Sequence, residues 1–202
     1  AYDFMPSLVG SEMCIRDREE NESLREEVST LREFVKVLRD LSRSIQTVST
    51  EQSPASLLRK ILYAALKVLD AADGSMILLD EDGDELVFEV VLGEAQDRLQ
   101  GYRIPADTGI AGWVLSTGEP QIVNRPRLDS RFFAAVDETF QFRTISLIAV
   151  PLIARGKAIG VVEVLNKFNE EDFTEVDLNM LSILAFIAAN ILEAMRYRKI
   201  SV

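Results

Sequence analysis

The segment TISLIAVPLIARGKAIGVVEVLNKF, Thr144 to Phe168, constrains the fold of this chain more than any other stretch. It reads as two long apolar strands joined by a tight turn at Arg155-Gly156-Lys157. Strands this apolar are buried, so the hairpin belongs at the centre of a sheet.

The period of the apolar residues changes repeatedly along the rest of the chain. SMILLDED and ELVFEVVLG alternate with a period of two on either side of Asp82-Gly83, which predicts a second hairpin. Before it, Ser53-Pro54 is a helix start, a capping hydroxyl followed by a proline whose missing N–H is not needed in the first turn. The helix should run to about Leu69, with Leu57, Leu58, Ile61, Leu62, Ala65, Leu66 and Leu69 forming a broad stripe suited to a sheet. Between the hairpins come a short helical stretch at Glu94 to Gln100, an extended piece at Tyr102 to Ile104 and a turn plus helix in GIAGWVLSTG. A strand in QIVN follows, then a helix opened by Asp129-Ser130 and running through RFFAAVDETF.

A closing helix starts at Thr174, with Asp177 three residues on in the manner of a capping box. One apolar line passes through Leu178, Leu181, Ala185, Ala188, Leu192 and Met195, and a second through Ile183, Ile187 and Ile191. One face can meet the sheet; the other needs a partner, most economically a second subunit.

At the other end, Asp17 to Thr50 is charged and helix-favouring. Leu24, Val28, Leu31, Val35, Leu38 and Ile45 fall on a heptad seam interrupted at Ser42. A seam this narrow fits a partner helix, as in a parallel two-stranded coiled coil; the alternative is an amphipathic helix lying on its own domain. Residues 1–18 show neither period and are read as a disordered or adaptor-like, artefactual segment, in which case Cys14 is not native. The expected organisation is therefore 1–18 outside the fold, 19–52 a coiled-coil signalling helix, 53–197 one domain, and 198–202 the start of a truncated extension.

Composition removes several function classes. The chain has no histidine, which excludes imidazole ligation of haem or metal, Ser-His-Asp and Cys-His nucleophile systems, and histidine phosphorelay. A formal charge of −11 argues against binding nucleic acid or anionic membranes. The single cysteine permits no internal disulfide and no segment resembles a signal peptide, which suits the cytoplasm. The longest apolar runs, such as Ser182 to Leu192, fall short of the roughly 18–20 residues that cross a bilayer.

RIPADTGIAGWVLSTGEPQIVN, FRTISLIAVPL and IGVVEVLNKF with FTEVD after it, in this order of elements, resemble the GAF domain of cyclic-nucleotide phosphodiesterases and bacterial adenylate cyclases over Pro54 to Tyr197. The resemblance implies an α+β fold, a six-stranded antiparallel sheet with helices packed on one side, plus the N-terminal coiled-coil helix. It implies a sensor whose pocket state alters helix packing in a homodimer and is passed to an output domain outside this chain. Asn166, Lys167, Phe173 and Asp177 match a family motif in which Lys and Asp form a bracing ion pair, although Leu178 stands where cyclic-nucleotide binders carry Glu. Ser75, the Ile110 and Ala111 backbone, Phe133, Asp137, Thr144 and Glu163 match residue types that line nucleotide pockets, whereas Leu92 replaces an acidic residue that reads the purine edge. Cyclic AMP or cyclic GMP is the implied ligand. The GIAG turn would add backbone N–H groups able to hold an anionic group.

Each signal has a plainer reading. Glu163 either walls a pocket or lies at an edge open to water, and Asp137 either enters the pocket or stays on the surface. Phe132, Phe133, Phe140 and Phe142 stack on a planar ligand or simply fill a core, as Trp113 does. The acidic cluster Asp80, Glu81, Asp82, Asp84 and Glu85 lacks EF-hand spacing and reads as a solvated hairpin tip, so no metal is expected. Enzymatic GAF-fold relatives depend on several cysteines, which are absent, so the chain is expected not to be an enzyme. Two functions remain: a ligand sensor, or a ligand-free module for dimerisation and signal transmission.

Overall fold

The apolar hairpin forms β5 (Leu147–Ala154) and β6 (Lys157–Lys167), in a computed structural model that describes residues 8–46, 54–168 and 170–200. Ala154 pairs directly with Lys157, so the loop is Arg155-Gly156 alone, with both residues at positive φ, 50° and 75°. That loop geometry matches the twist of the strands it joins. The second hairpin forms β1 (Ala71–Leu79) and β2 (Glu85–Leu92), and β3 (Arg103–Pro105) and β4 (Gln121–Val123) lie at the two edges. The sheet order is β3-β2-β1-β6-β5-β4, with each neighbouring pair antiparallel, so the two hairpins meet at the β1–β6 centre.

Side-chain alternation divides the sheet between two cores. Met76, Ile148, Val150, Leu152, Val162 and Val164 face two long helices, α2 (Pro54–Val68) and α6 (Glu175–Ile200). The stripe expected on α2 is buried throughout, and each fully buried Leu or Ile in it is worth about 1.5–3 kcal/mol relative to exposure. The opposite face, with Ile77, Phe88, Leu147, Ala149 and Val161, is covered by α3 (Gln96–Leu99), α4 (Gly109–Thr117) and α5 (Ala135–Phe140). The long helices thus lie on one side as expected, and these short ones enclose the other.

The N-terminal helix α1 (Leu8–Gln46) begins inside the segment 1–18, where the sequence shows no helical period. From Leu8 the backbone is continuous helix. Pro6 precedes this start, and Leu, Met, Glu and Arg beyond it let a helix nucleated downstream propagate back. Residues 1–7, Thr50 and Ser53 lie outside the described residues. Helix α1 also has two working faces. Phe34, Val37 and Leu41 are buried in the core shared with α2, and the Lys67 Nζ–Glu33 Oε1 pair at 3.4 Å marks the same contact. The heptad residues Leu24, Val28, Leu31 and Val35 instead remain 44–54% exposed.

Two expectations need correction. Glu175–Ala194 within α6 is long and apolar enough, at a mean hydropathy of 1.6, to cross a membrane by length and composition. Leu181, Leu184, Ala185, Ala188 and Ala189 of that helix are buried in the domain core, which accounts for its apolarity. The helix expected from Asp129-Ser130 begins only at Ala135. Asp129 Oδ1 accepts the Arg131 N–H at 2.9 Å and the Asp129 carbonyl accepts the Phe132 N–H at 3.0 Å, so the segment closes into a local turn that competes with helix.

Candidate ligand-binding site

Between the sheet and the short helices lies a cavity of about 90 Å³, room for several water molecules at about 10–15 Å³ each. Its floor comes from β1 and β6, where Asp73, Ser75 and Ile77 alternate onto one face and Glu163 lies opposite Ser75 in register. Its walls come from Ile110 and Ala111 at the start of α4, from Phe132 and Phe133 before α5, and from Val136, Asp137 and Phe140 within it. Ser75, Ile110, Ala111, Phe133, Asp137, Thr144 and Glu163 all line this one space.

Their polar groups are in different states. Ser75 is 2% exposed and its Oγ has no hydrogen-bond partner. A buried hydroxyl left in that condition is costly. The surface Glu163 keeps faces the cavity, and among the described residues no hydrogen bond or ion pair reaches its carboxyl. Desolvation pushes that carboxyl up to about 7, leaving it poised between neutral and charged near neutral pH. Asp137, by contrast, is 4% exposed and fully engaged. It accepts the Thr144 N–H at 2.9 Å and the Thr144 hydroxyl at 2.7 Å, and the half-exposed Arg127 guanidinium at 3.0 Å offsets its charge.

The start of α4 is open toward the same space. Thr108 occupies its N-cap position with extended backbone, yet its side chain makes no capping bond. The first N–H groups of any helix lack intrahelical acceptors and carry the positive end of its dipole. Gly112 sets how closely this turn packs: a Cβ there would lie 2.5 Å from the Asp107 carbonyl carbon. Outside the cavity, Arg131 stacks 4.7 Å from the Trp113 ring and pairs with Asp129 at 2.7 Å, tying the turn before α5 to α4.

The motif residues beside the cavity hold the sheet to α6. Lys167 Nζ and Asp177 Oδ2 are 2.8 Å apart with side chains only 12% and 8% exposed, and Lys167 lies over the Phe173 ring at 5.6 Å. Asp177 Oδ2 also accepts the Thr174 N–H at 2.8 Å, and its own N–H reaches Thr174 Oγ1 at 3.3 Å, closing the capping box. Asn166, at φ 56°, accepts the Ile145 N–H at 2.9 Å and donates to the Arg143 carbonyl at 3.0 Å. Asn124 does similar work from the edge, accepting the Phe173 N–H at 2.8 Å and donating to the Phe173 carbonyl at 3.0 Å.

Sequence reasoning missed Asp73, Val136 and Thr108 among the lining residues. Asp73 could have been found from its two-residue step to Ser75, had the strand been started before Gly74. The aromatic side chains resolve into both readings at once: Phe132, Phe140 and Phe142 belong to the core and also wall the cavity, while Phe133 walls it at 41% exposure. No cluster able to hold a metal occurs among the described residues.

Comparison with known proteins gives a consistent assignment. Residues 51–193 match the model of the GAF domain. The chain is 30% identical over 139 residues to a probable 3',5'-cyclic phosphodiesterase, pde-5, of Caenorhabditis elegans, covering 64% of this chain and 19% of that protein. It is 36% identical over 134 residues to the dual 3',5'-cyclic-AMP and -GMP phosphodiesterase 11 of Drosophila melanogaster, covering 64% and 9%. The chain thus spans less than a fifth of the length of these relatives. Among solved structures, the GAF domain of a phosphoenolpyruvate-protein phosphotransferase from Coxiella burnetii superposes with a TM-score of 0.73 at 17% identity, covering 82% of this chain and 96% of that one. The match over 51–193, together with the antiparallel six-stranded sheet, shows that this chain belongs to the GAF domain family.

Proposed function

We propose that this domain is a ligand-sensing regulatory element without catalysis of its own, acting in the cytoplasm. It takes a small planar molecule, with cyclic AMP and cyclic GMP the first candidates. The observation that carries the reading is the cavity floor, where the buried Ser75 hydroxyl and the half-buried Glu163 carboxyl face the cavity without protein partners. Polar groups are not left in that state without a stability penalty unless something else meets them. The heterocycle would lie on this floor against Phe133, and an anionic group would sit at the uncapped start of α4. The similarity to a dual cyclic-AMP and -GMP phosphodiesterase supports the same class of ligand.

The cavity is smaller than the roughly 150 Å³ apolar cavity that takes benzene. The cavity opens beside the 41%-exposed Phe133, so a nucleotide would extend out past the Phe133–Asp137 wall, and a shift of that wall on binding is the signal. The floor strands also carry Met76, Val162 and Val164 on their other face, against the long helices. The homodimer forms through α1 and α6, supported by the exposed heptad residues of α1 and by Ile183 and Phe186, 45% and 66% exposed on α6. An output domain outside these residues reads the change.

Thermal melting of the chain with and without each cyclic nucleotide tests this. At a hundredfold excess over Kd, binding adds about 2.7 kcal/mol, a melting shift of roughly 5–10 °C for a chain of this size. A second reading, a domain that dimerises without ligand, is favoured by Leu92 in the cavity wall, where an apolar side chain gives a base edge nothing to bond. Absence of any shift across cyclic nucleotides and other planar metabolites would decide for it.

A further inference from the structure

We propose that Asp73 determines which ligands this cavity accepts, by selecting planar heterocycles whose bound edge carries N–H donors, amino-substituted rings above all. The inference rests on the reading that the cavity takes a planar ligand, and it assigns that ligand's chemistry. Asp73 is 8% exposed, lines the cavity and shares a strand face with Ser75. It pairs with Leu165 across the ladder while Ser75 pairs with Glu163, so Asp73 and Glu163 are diagonal neighbours, with Cα atoms about 7–8 Å apart. Both carboxyls, with the partnerless Ser75 hydroxyl between them, can reach one ring.

The position of the Asp73 carboxyl is built into the fold. Its Oδ1 accepts the Glu94 N–H at 2.8 Å. Gly93, at φ 106°, leaves the space it occupies, since a Cβ there would lie 2.1 Å from Oδ1. Burial raises its pKa, partly countered by the Glu94 N–H and the Asn166 side chain. Among the described residues that line the cavity there are three carboxyls and no lysine or arginine. The Arg127 guanidinium offsets that of Asp137 from outside the lining, leaving Asp73 and Glu163 with no cation. A ring edge bearing only carbonyl acceptors would set them against the Asp73 carboxylate, whereas an amino group supplies it a donor.

Calorimetric titration of the full chain with ligand pairs differing in one amino group tests the assignment: cyclic GMP against cyclic inosine monophosphate, and adenine against purine. The wild-type chain should bind the amino-bearing member at least about tenfold more tightly. Asp73→Asn keeps an acceptor for Glu94 and should level that preference while still binding the amino-free member; Asp73→Thr serves if the first variant does not melt as a folded protein. Binding without amino preference, or a preference untouched at position 73, overturns the role of Asp73 and leaves the sensor reading standing. Free bases that bind in an Asp73-dependent way while cyclic nucleotides do not would uphold Asp73 and remove the nucleotide reading. No binding by any member overturns both.

Discussion

Replacing Glu163 by Gln should stabilise the unliganded protein, and only above a defined pH. In the folded chain desolvation raises the Glu163 carboxyl from 4.5 to about 7 with no opposing interaction. Because the folded pKa lies above the unfolded one, the contribution of this group to stability is fully present below about pH 4.5 and is lost as the pH climbs through 7. At 1.36 kcal/mol per pKa unit the loss is on the order of 3 kcal/mol at pH 8. Glutamine stays neutral and fits the same space, so it escapes that loss. Urea denaturation of wild type and Glu163→Gln at pH 4.5, 6, 7 and 8 checks the magnitude. The difference between them should be near zero at pH 4.5 and approach its full value at pH 8, where melting rises by roughly 6–10 °C. Carboxylates held below their usual range, such as Asp129 beside Arg131, titrate alike in both proteins and cancel. A difference independent of pH, or a variant less stable than wild type at pH 8, would refute the account of a partnerless, desolvated carboxyl on the cavity floor.

Other consequences are as concrete. Lys167→Met leaves the Asp177 carboxylate buried without its cation and should lower stability by about 3 kcal/mol in chemical denaturation. Gly112→Ala places a methyl group against the Asp107 backbone, which has no room to yield; a loss of about 2 kcal/mol is expected, together with weaker ligand binding because α4 must shift. Replacing Val28 and Leu31 by Glu should shift the chain from dimer to monomer in sedimentation, with little change in melting of the monomeric domain, because neither side chain is buried in it.

The sheet was legible because its strands declare themselves locally. The Arg155-Gly156 turn, the period-two hairpin and the apolar run of β5 and β6 each point to the same arrangement. The Lys167–Asp177 brace was legible through the resemblance, and the Thr174–Asp177 cap from spacing alone. Features set by side chains meeting across the chain were not. The turn at Asp129 resembles a helix start until its carboxylate is seen holding Arg131. Asp73 acquires meaning only when Gly93, twenty residues later, makes room for it. The second face of α1 was present in the spacing of Phe34, Val37 and Leu41, but the heptad seam in the same residues hid it. What sequence could not supply was the state of each polar group, that Asp137 is satisfied by Thr144 and Arg127 while Ser75 is not.

Trp113, the sole tryptophan, sits on α4 beneath Arg131 and reports, through that contact, on the turn leading into the Phe133–Asp137 wall. Fluorescence titration of the wild-type chain with cyclic AMP and cyclic GMP therefore tests the central claim. The sensor account predicts a saturable change with one ligand per chain, moved to higher ligand concentration when Gly112→Ala displaces α4. Unchanged Trp113 emission at millimolar ligand, with no heat of binding in parallel calorimetry, would contradict it and leave a domain whose helices dimerise around an unused cavity.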